Sequence, residues 1–246
     1  MKDYLYDGTF SGLLTCVYLH YYEEAAAGIY TSDTYQSNML QTFSIVVSED
    51  QYASKVYDAI EKKISAYDLK RIYRVFLSSV ENKEMLILNY ICLGFKVGSK
   101  VSLLHGHPYV HPIEKAEKKV SFEVHRIYGL LRFSVLEGDI LYAVIEPDHD
   151  ILEFIAEHFI DRYKSDPFII FDKQRKKAIV ANEGNWFITD FSEQALPKVS
   201  ETEKDYRALW KKYFEAIAIK ERINPRCQKN FMPVRYWKHL TELNQL

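Results

Sequence analysis

At 246 residues the chain is long enough for one large domain or two small ones, and either arrangement buries a sizeable core. Hydrophobic residues are 48% and charged residues 27% of the chain, as in ordinary globular proteins, and 9 Gly with 7 Pro leave little material for linkers. The net charge of −2 gives no global case for nucleic-acid binding, and the three cysteines exclude a fully paired disulfide framework and lack zinc or iron–sulfur spacing.

The first part of the chain, residues 1–99, is predicted to be mostly helical with a small sheet. Two stretches have strand composition and are separated by a helix and a tyrosine-rich loop, namely Tyr4–Asp7 and Thr42–Ser48. Asp7 or Thr9 is expected to cap the first helix, and a capping-box pattern at Ser48 to Gln51 predicts the start of the second. Two further helices follow, the second apolar almost all round and expected in the core: Tyr67–Ser79 and Glu81–Val97.

The sequence also carries indications of its compartment. No apolar run approaches the length that spans a membrane, and the N-terminal residues MKDYLYDGTF contain no signal region. Unpaired thiols suit a reducing environment. A cytoplasmic protein without membrane association is therefore expected.

Residues 100–112 are predicted to form a connecting loop that contains three closely spaced histidines. Imidazoles at this spacing could bind a divalent metal, so His105, His107 and His111 are candidate ligands. However, the spacing fits no known signature, and no nearby acid or cysteine completes the set. A solvent-exposed loop is favoured, and we expect neither a metal nor another cofactor.

The second part, residues 113–246, is predicted to combine an antiparallel hairpin and meander sheet with flanking helices, or to form one continuous domain with the first part. LLRFSV and ILYAVIEP flank a polar turn as a hairpin, and FIIFD, KKAIVA and NWFITDF follow as a meander. Predicted helices run over Ile113–Tyr128 and from Asp148 through Tyr163, and a capping box at Ser200 and Glu203 begins another. Asn224–Pro225 and Pro233 start short helical turns in the basic C-terminal segment. The fold class is therefore α+β.

Two segments in the middle of the chain contain candidate catalytic residues. His125, His149, His158 and Arg162 could line a polar pocket for general acid–base chemistry or for an anion. Arg126 and Arg132 could grip a phosphate or form an ion-pair network with Glu123. Structural roles are the alternative for both sets. The sequence lacks the short motifs of several large enzyme classes. The missing patterns are the phosphate-binding loop GxxxxGK[ST], the dinucleotide-binding GxGxxG, the nucleophile elbow GxSxG, the zinc-binding HExxH and the cluster-binding CxxxCxxC.

The C-terminal segment has the strongest local charge. From Ser200 onward, ten basic residues face six acidic ones, and such an excess suits a phosphate backbone or an acidic partner. A solvated helix face is the alternative. The side chains expected to contact nucleic acid include two aromatic rings that could stack on a base: Arg222, Arg226, Lys229, Arg235, Tyr236, Trp237 and Lys238. The alternative for Tyr236 and Trp237 is that the two rings pack the short terminal helix onto the core. The preceding apolar residues, Tyr206 to Ile217, are expected to form an ordinary amphipathic face.

Three blocks together resemble one bacterial family: YLYDGTFSGLLT, then EVHRIYGLLRF with PDHDILEFIAEHFIDRY, then LWKKYFEAIAIKERINPRCQKNFMPVRYWKHLTE. It is a domain family of unknown function associated with DNA metabolism and DNA repair. The resemblance implies a radical-SAM DNA-modification or repair protein as partner, and fusion in some members to a uracil-DNA-glycosylase-like domain. The residues carried over lie in the matching blocks: Asp7, His125, Arg126, Arg132, His149, His158, Arg162, Arg222, Asn224, Gln228, Arg235, Tyr236 and Trp237.

The function expected from these observations is that of an accessory protein in DNA metabolism or repair. It would bind nucleic acid, a radical-SAM or glycosylase partner, or both, through the basic C-terminal surface. Two alternatives stay open: a nucleic-acid-processing enzyme that uses the histidine pocket, and a pure protein–protein adaptor.

Overall fold

The computed structural model describes residues 1–36 and 41–243. It divides the chain into two compact units, Met1–Val120 and Ser121–Leu246. The division falls within one long helix, beyond the predicted connecting loop at 100–112. Helices are interleaved with a small parallel sheet and a mostly antiparallel larger one, so the α+β prediction is confirmed.

The first unit is mostly helical, as predicted. Its strands and helices in chain order are β1 Lys2–Tyr6, α1 Phe10–Tyr22, β2 Ala26–Thr31, β3 Phe43–Ile45, α2 Asp50–Lys63, α3 Ala66–Phe76 and α4 Lys83–Val97. A 3₁₀ helix over Gly98–Leu103 leads to α5, which runs from His111 to Leu130 and enters the second unit. Part of the predicted loop at 100–112 is therefore helical.

The small sheet of the first unit has the order β2-β1-β3, and both of its pairings are parallel. Helix α1 connects β1 to β2, as parallel pairing requires a crossover. β2 lies where the sequence predicted a loop. Its residues, AAGIYT, have a weak strand signal, and pairing with the buried strand β1 overrides it.

Helix α4 forms part of the core of the first unit. Among the described residues, Lys83–Leu103 is long and apolar enough to cross a membrane by length and composition. The expectation that no stretch approaches this length is therefore wrong. Ile87, Leu88, Tyr90 and Ile91 are nevertheless buried within the unit, and this burial accounts for the apolar composition.

Thr9, one of the two residues predicted to cap α1, does so, since its hydroxyl accepts a hydrogen bond from the N–H of Gly12 at 3.0 Å.

The two predicted capping boxes are wrong. Ser48 makes no cap for α2 and instead donates to a carboxylate oxygen of Asp7 at 2.7 Å. Glu203 likewise caps nothing, because its carboxylate accepts from the backbone N–H of Val135 at 3.1 Å.

The second unit contains a five-stranded sheet in the order β4-β5-β6-β7-β8. Its strands are β4 Ser134–Leu136, β5 Ile140–Ile145, β6 Phe168–Asp172, β7 Lys177–Asn182 and β8 Asn185–Asp190. The predicted hairpin and meander are both present. β5 and β6 pair in parallel through a crossover helix, α6, over Leu152–Arg162. Asp148 was predicted to cap this helix, but α6 begins later and Ile151 occupies the N-cap position.

The C-terminal segment forms short helices, as predicted. They are α7 Glu203–Ile217, a 3₁₀ helix Lys220–Arg222, α8 Pro225–Phe231 and a 3₁₀ helix Val234–His239. Asn224 caps α8 by accepting from the N–H of Cys227 at 3.0 Å, and Pro225 occupies the first helical turn.

Candidate functional site

A buried carboxylate, Glu123, organises the second unit. It lies on α5 and accepts backbone N–H bonds from Asp148 at 3.0 Å and His149 at 2.8 Å. The hydroxyl of Tyr236 donates to it at 2.5 Å, and the guanidinium of Arg235 donates at 2.7 Å. Glu123 therefore ties the C-terminal segment to α5 and to the loop that precedes α6.

The surroundings of Glu123 keep it ionised. Burial by itself would raise the pKa of this carboxyl group, but hydrogen bonds from Tyr236 and from two backbone N–H groups outweigh that effect and the pKa is lowered. Arg235 is shared, because it also contacts the carboxylate of Asp148 at 2.7 Å. The carboxylate is thus satisfied by donors on two other segments of the chain.

Several basic residues proposed for phosphate contact are already paired with carboxylates. Arg132 holds Glu242 through two N–H···O bonds of 2.7 and 3.3 Å. Lys238 contacts Glu146 at 2.6 Å. Arg126, by contrast, donates to a backbone oxygen, that of Asn230, at 3.5 Å. Arg132 and Lys238 therefore anchor the segment and present less free charge than the sequence suggests.

Three other basic residues of the segment face solvent. Arg222, Arg226 and Lys229 are exposed, and within residues 1–36 and 41–243 their side chains make no hydrogen bond or ion pair. They lie on or beside α8, whose start is fixed by the Asn224 cap. Their positive charge is therefore available to an incoming anion.

Of the two interpretations left open for Tyr236 and Trp237, the structure favours packing. Tyr236 is buried with its hydroxyl on Glu123, and the indole N–H of Trp237 donates to the backbone oxygen of Met232 at 2.8 Å. By contrast, the apolar side chains of α7 were expected to form an ordinary amphipathic face, and the structure leaves them exposed. They are Tyr206, Leu209, Trp210, Tyr213 and Ile217.

The four candidate catalytic residues have different surroundings. His125 is exposed on α5, and His149 is buried with its backbone N–H on Glu123. The ring of His158 stacks on Tyr128 at a centroid distance of 4.1 Å. Arg162 is exposed at the end of α6, with its guanidinium 5.9 Å from the centroid of the Tyr163 ring. These contacts do not assemble a shared pocket from the four side chains.

The three histidines of the 100–112 segment contact protein groups. Nδ1 of His105 lies 2.8 Å from the carboxylate of Glu114, and Nδ1 of His107 accepts from the N–H of Tyr109 at 3.2 Å. His111 is the first residue of α5. In the described part of the chain, no group of three or more His, Cys, Asp or Glu residues is placed to hold a metal ion.

Sequence reasoning missed the acidic partners that hold the C-terminal segment. Glu242 accepts from both Arg132 and the indole N–H of Trp210, the latter at 2.9 Å. Glu146 lies at the end of β5 and receives Lys238. The separations between partners along the chain are large, so no local pattern indicated these pairs.

Comparison with known proteins identifies a related family. A family model described as a domain of unknown function, DUF4130, matches residues 81–242, which is more than half of the 246 residues. No curated protein matches the chain. A solved structure of a pGpG-specific phosphodiesterase, PggH from Vibrio cholerae, is 8% identical, with 89% of this chain and 100% of that chain covered and a TM-score of 0.35. A TM-score this low gives no evidence about the fold or the function of the chain.

Proposed function

The chain belongs to the DUF4130 domain family, and from this premise we propose that it is a nucleic-acid-binding accessory protein of DNA metabolism or repair. The observation that supports the proposal is the exposed charge of Arg222, Arg226 and Lys229 on and beside α8. When cationic side chains that lack acidic partners neutralise phosphates, the nucleic acid releases its condensed counterions, and this release drives binding.

The ion pairs distinguish the charged residues that anchor the C-terminal segment from those that are left to bind a ligand. Glu203 and Glu242 are occupied by Arg207 and Arg132. These two ion pairs hold the C-terminal segment in place, so their carboxylates are not available to neutralise the charges of α8. Within the described residues, Lys204, Lys212 and Lys220 are also exposed without an ion pair, and Arg222, Arg226 and Lys229 carry the part of the basic excess that lies on and beside α8.

The partners in this proposal come from the family resemblance. A radical-SAM DNA-modification or repair protein, or a uracil-DNA-glycosylase-like domain, would perform the chemistry, and this chain would bring it to DNA in the cytoplasm. The free cysteines Cys16, Cys92 and Cys227 are consistent with that compartment.

The proposal predicts salt-dependent binding of single-stranded DNA. We expect a triple variant, Arg222→Ala, Arg226→Ala and Lys229→Ala, to bind a labelled oligonucleotide more weakly. The slope of log affinity against log salt should fall in magnitude by about 2, since each phosphate contact on a single strand contributes about 0.7. Fluorescence anisotropy over a salt series measures both quantities.

A matched control removes the same charge from the first unit. Lys70, Lys96 and Lys100 are exposed on helices there, so replacing all three by Ala changes the net charge equally. This control should keep the wild-type slope. Equal losses in both triple variants, or binding that ignores salt, would contradict the proposal.

The exposed apolar side chains of α7 favour a second candidate, a protein–protein adaptor. Leu209, Tyr213 and Ile217 are more than half exposed, and exposed apolar surface of this kind commonly marks an interaction site. Capture of the radical-SAM partner that survives nuclease treatment, with no affinity for DNA, would support the adaptor instead.

A further inference from the structure

Two adjoining cavities lie beside α7 in the second unit. The larger, the aromatic groove, has a volume of about 630 Å³. Aromatic rings dominate its lining: Phe133, Tyr206, Trp210 and Tyr213. The smaller, the basic cavity, has a volume of about 230 Å³ and shares Arg132, Arg207 and Thr241 with the groove. The shared residues place the two cavities side by side.

Among the described residues, the basic cavity is lined by cations and by no carboxylate. Its charged lining residues are Arg132, Arg207, Lys211 and Lys238. His239 also lines it; burial lowers the pKa of this imidazole despite the nearby Glu146 carboxylate, so the ring is neutral near pH 7. The smaller cavity therefore presents hydrogen-bond donors with positive charge.

Carboxylates outside the lining of the basic cavity hold these cations in place, and one of them, Glu203, lines the aromatic groove. Glu242 contacts Arg132, Glu203 contacts Arg207 and Glu146 contacts Lys238, while Glu193 accepts from the hydroxyl of the lining residue Tyr142. These acids reduce the net charge of the site. The binding energy must then come from donors of the lining residues that these acids leave without a partner.

Arg207 retains such donors. Its Nε donates to Glu203 at 2.8 Å and its Nη2 to the hydroxyl of Ser134 at 2.6 Å. Among the described residues, Nη1 of Arg207 has no hydrogen-bond partner, so its two N–H groups can meet a ligand. A guanidinium fixed on one side and open on the other is suited to bind a phosphate oxygen.

We propose that the two cavities together bind one nucleotide, with the base stacked in the aromatic groove and the phosphate in the basic cavity. Rings such as Trp210 and Tyr213 stack on any base, and this contact is a principal source of affinity for single strands. An aliphatic peptide would use the apolar groove but leave the cations of the adjoining cavity unused. This site deepens the proposed function, on which it rests, by assigning the class of ligand.

The test uses the full-length protein and thymidine 5′-monophosphate. Three indole N–H signals, from Trp186, Trp210 and Trp237, are expected in a nitrogen-15 NMR spectrum and are assigned by substitution to Phe. The nucleotide should shift the Trp210 signal and leave the Trp186 and Trp237 signals in place. Thymidine and inorganic phosphate, each alone, should bind more weakly than the nucleotide.

Variants in the two cavities separate stacking from charge. Trp210→Leu should weaken nucleotide binding about 5- to 150-fold, the range for loss of one stacked base, and Trp210→Phe should restore much of it. Lys211→Gln should weaken binding of the nucleotide and leave that of thymidine unchanged. Lys212→Gln, on the same helix but outside both linings, is the control and should bind as the wild type does.

The outcomes distinguish this site from the proposed function. If the wild-type protein binds single-stranded DNA but the mononucleotide shifts no Trp210 signal, the nucleotide site is refuted and the α8 surface stands. Equal weakening in Lys211→Gln and Lys212→Gln also refutes the site. Absence of all DNA binding removes both proposals. Circular dichroism of each variant confirms that α7 is still folded.

Discussion

At the residue scale, Glu123 shows how a local prediction can identify a residue and miss its partner. The sequence suggested an ion-pair network of Glu123 with Arg126 and Arg132. The structure instead pairs Glu123 with Arg235, 112 residues further along the chain, while Arg132 pairs with Glu242. The sequence was enough to predict that Glu123 pairs with an arginine, but which arginine depends on where distant segments of the chain meet.

Replacement of Glu123 by Gln is expected to destabilise the second unit by about 2–3 kcal/mol, because several donors lose a charged acceptor. Its folded-state pKa is lowered, so the contribution is fully present above the ordinary value of 4.5 and is lost as the pH falls through the folded-state value. Urea unfolding at neutral pH, and again well below pH 4.5, measures the difference.

Glu157, exposed on α6, provides the control for that experiment. Its replacement by Gln should change the free energy of unfolding by less than about 0.5 kcal/mol. If the two Gln variants are equally stable at neutral pH, or if the Glu123→Gln difference grows in acid, then Glu123 does not have the stabilising role assigned to it.

At the scale of elements, local turns made the larger sheet predictable. The meander closes through Glu183 and Gly184, both with positive φ, in the two-residue connection that favours Gly. The pairing of β7 with β8 is therefore encoded by neighbouring residues. The parallel pairing of β1 with β2 depends on a crossover through α1, and the Ala-rich β2 carries little signal for it.

Gly12 illustrates an element whose sequence is explained only by packing. It lies inside α1, where Ala would ordinarily be more stable by up to about 1 kcal/mol. A Cβ at this position would lie 2.3 Å from a carboxylate oxygen of Asp7 and 2.7 Å from the hydroxyl of Ser48. Those two side chains are hydrogen-bonded to each other at 2.7 Å, so neither can move without losing that bond.

We therefore expect Gly12→Ala to destabilise the first unit by about 1–3 kcal/mol, the usual range for overpacking. Gly129 in α5 is the control, because a Cβ there meets nothing within 4 Å. Gly129→Ala should be neutral or slightly stabilising. Thermal unfolding of both variants tests the pair, and a stabilised Gly12→Ala protein would contradict the packing argument.

At the scale of the whole molecule, the class of the fold could be predicted from the sequence, but the function of each surface could not. Composition and periodicity were enough for α+β. The exposure of a helix face was harder to predict, because an amphipathic helix has the same sequence pattern whether its apolar face is covered by protein or open to solvent. The side chains of Trp210 and Tyr213 were expected to form an ordinary amphipathic face and are exposed, whereas Tyr236, for which base stacking and packing onto the core were both open, is buried.

The three cysteines report on the two units separately. Cys227 is exposed in the second unit, while Cys16 is buried in the first, where burial raises the pKa of its thiol to about 12. Because thiolates react and thiols do not, we expect Cys227 to be modified first and Cys16 only when the first unit unfolds. Mass spectrometry of alkylated protein across a urea series measures this order.

A Cys227→Ser variant provides the reference for that measurement, since it removes the fast reaction and leaves Cys16 and Cys92 to report on the first unit. Modification of Cys16 at the rate of Cys227 in the absence of urea would show that the first unit opens far more readily than its buried core indicates.

The pairing of Glu123 with Arg235 and Tyr236 also has a consequence for synthesis. The ribosome makes Glu123 more than a hundred residues before either partner, since the separations are 112 and 113 residues. Until then the carboxylate has at most the backbone donors of Asp148 and His149, and its burial stays unfavourable. The second unit therefore completes its folding late. A chain interrupted before Arg235 would open readily and be an early target for proteolysis.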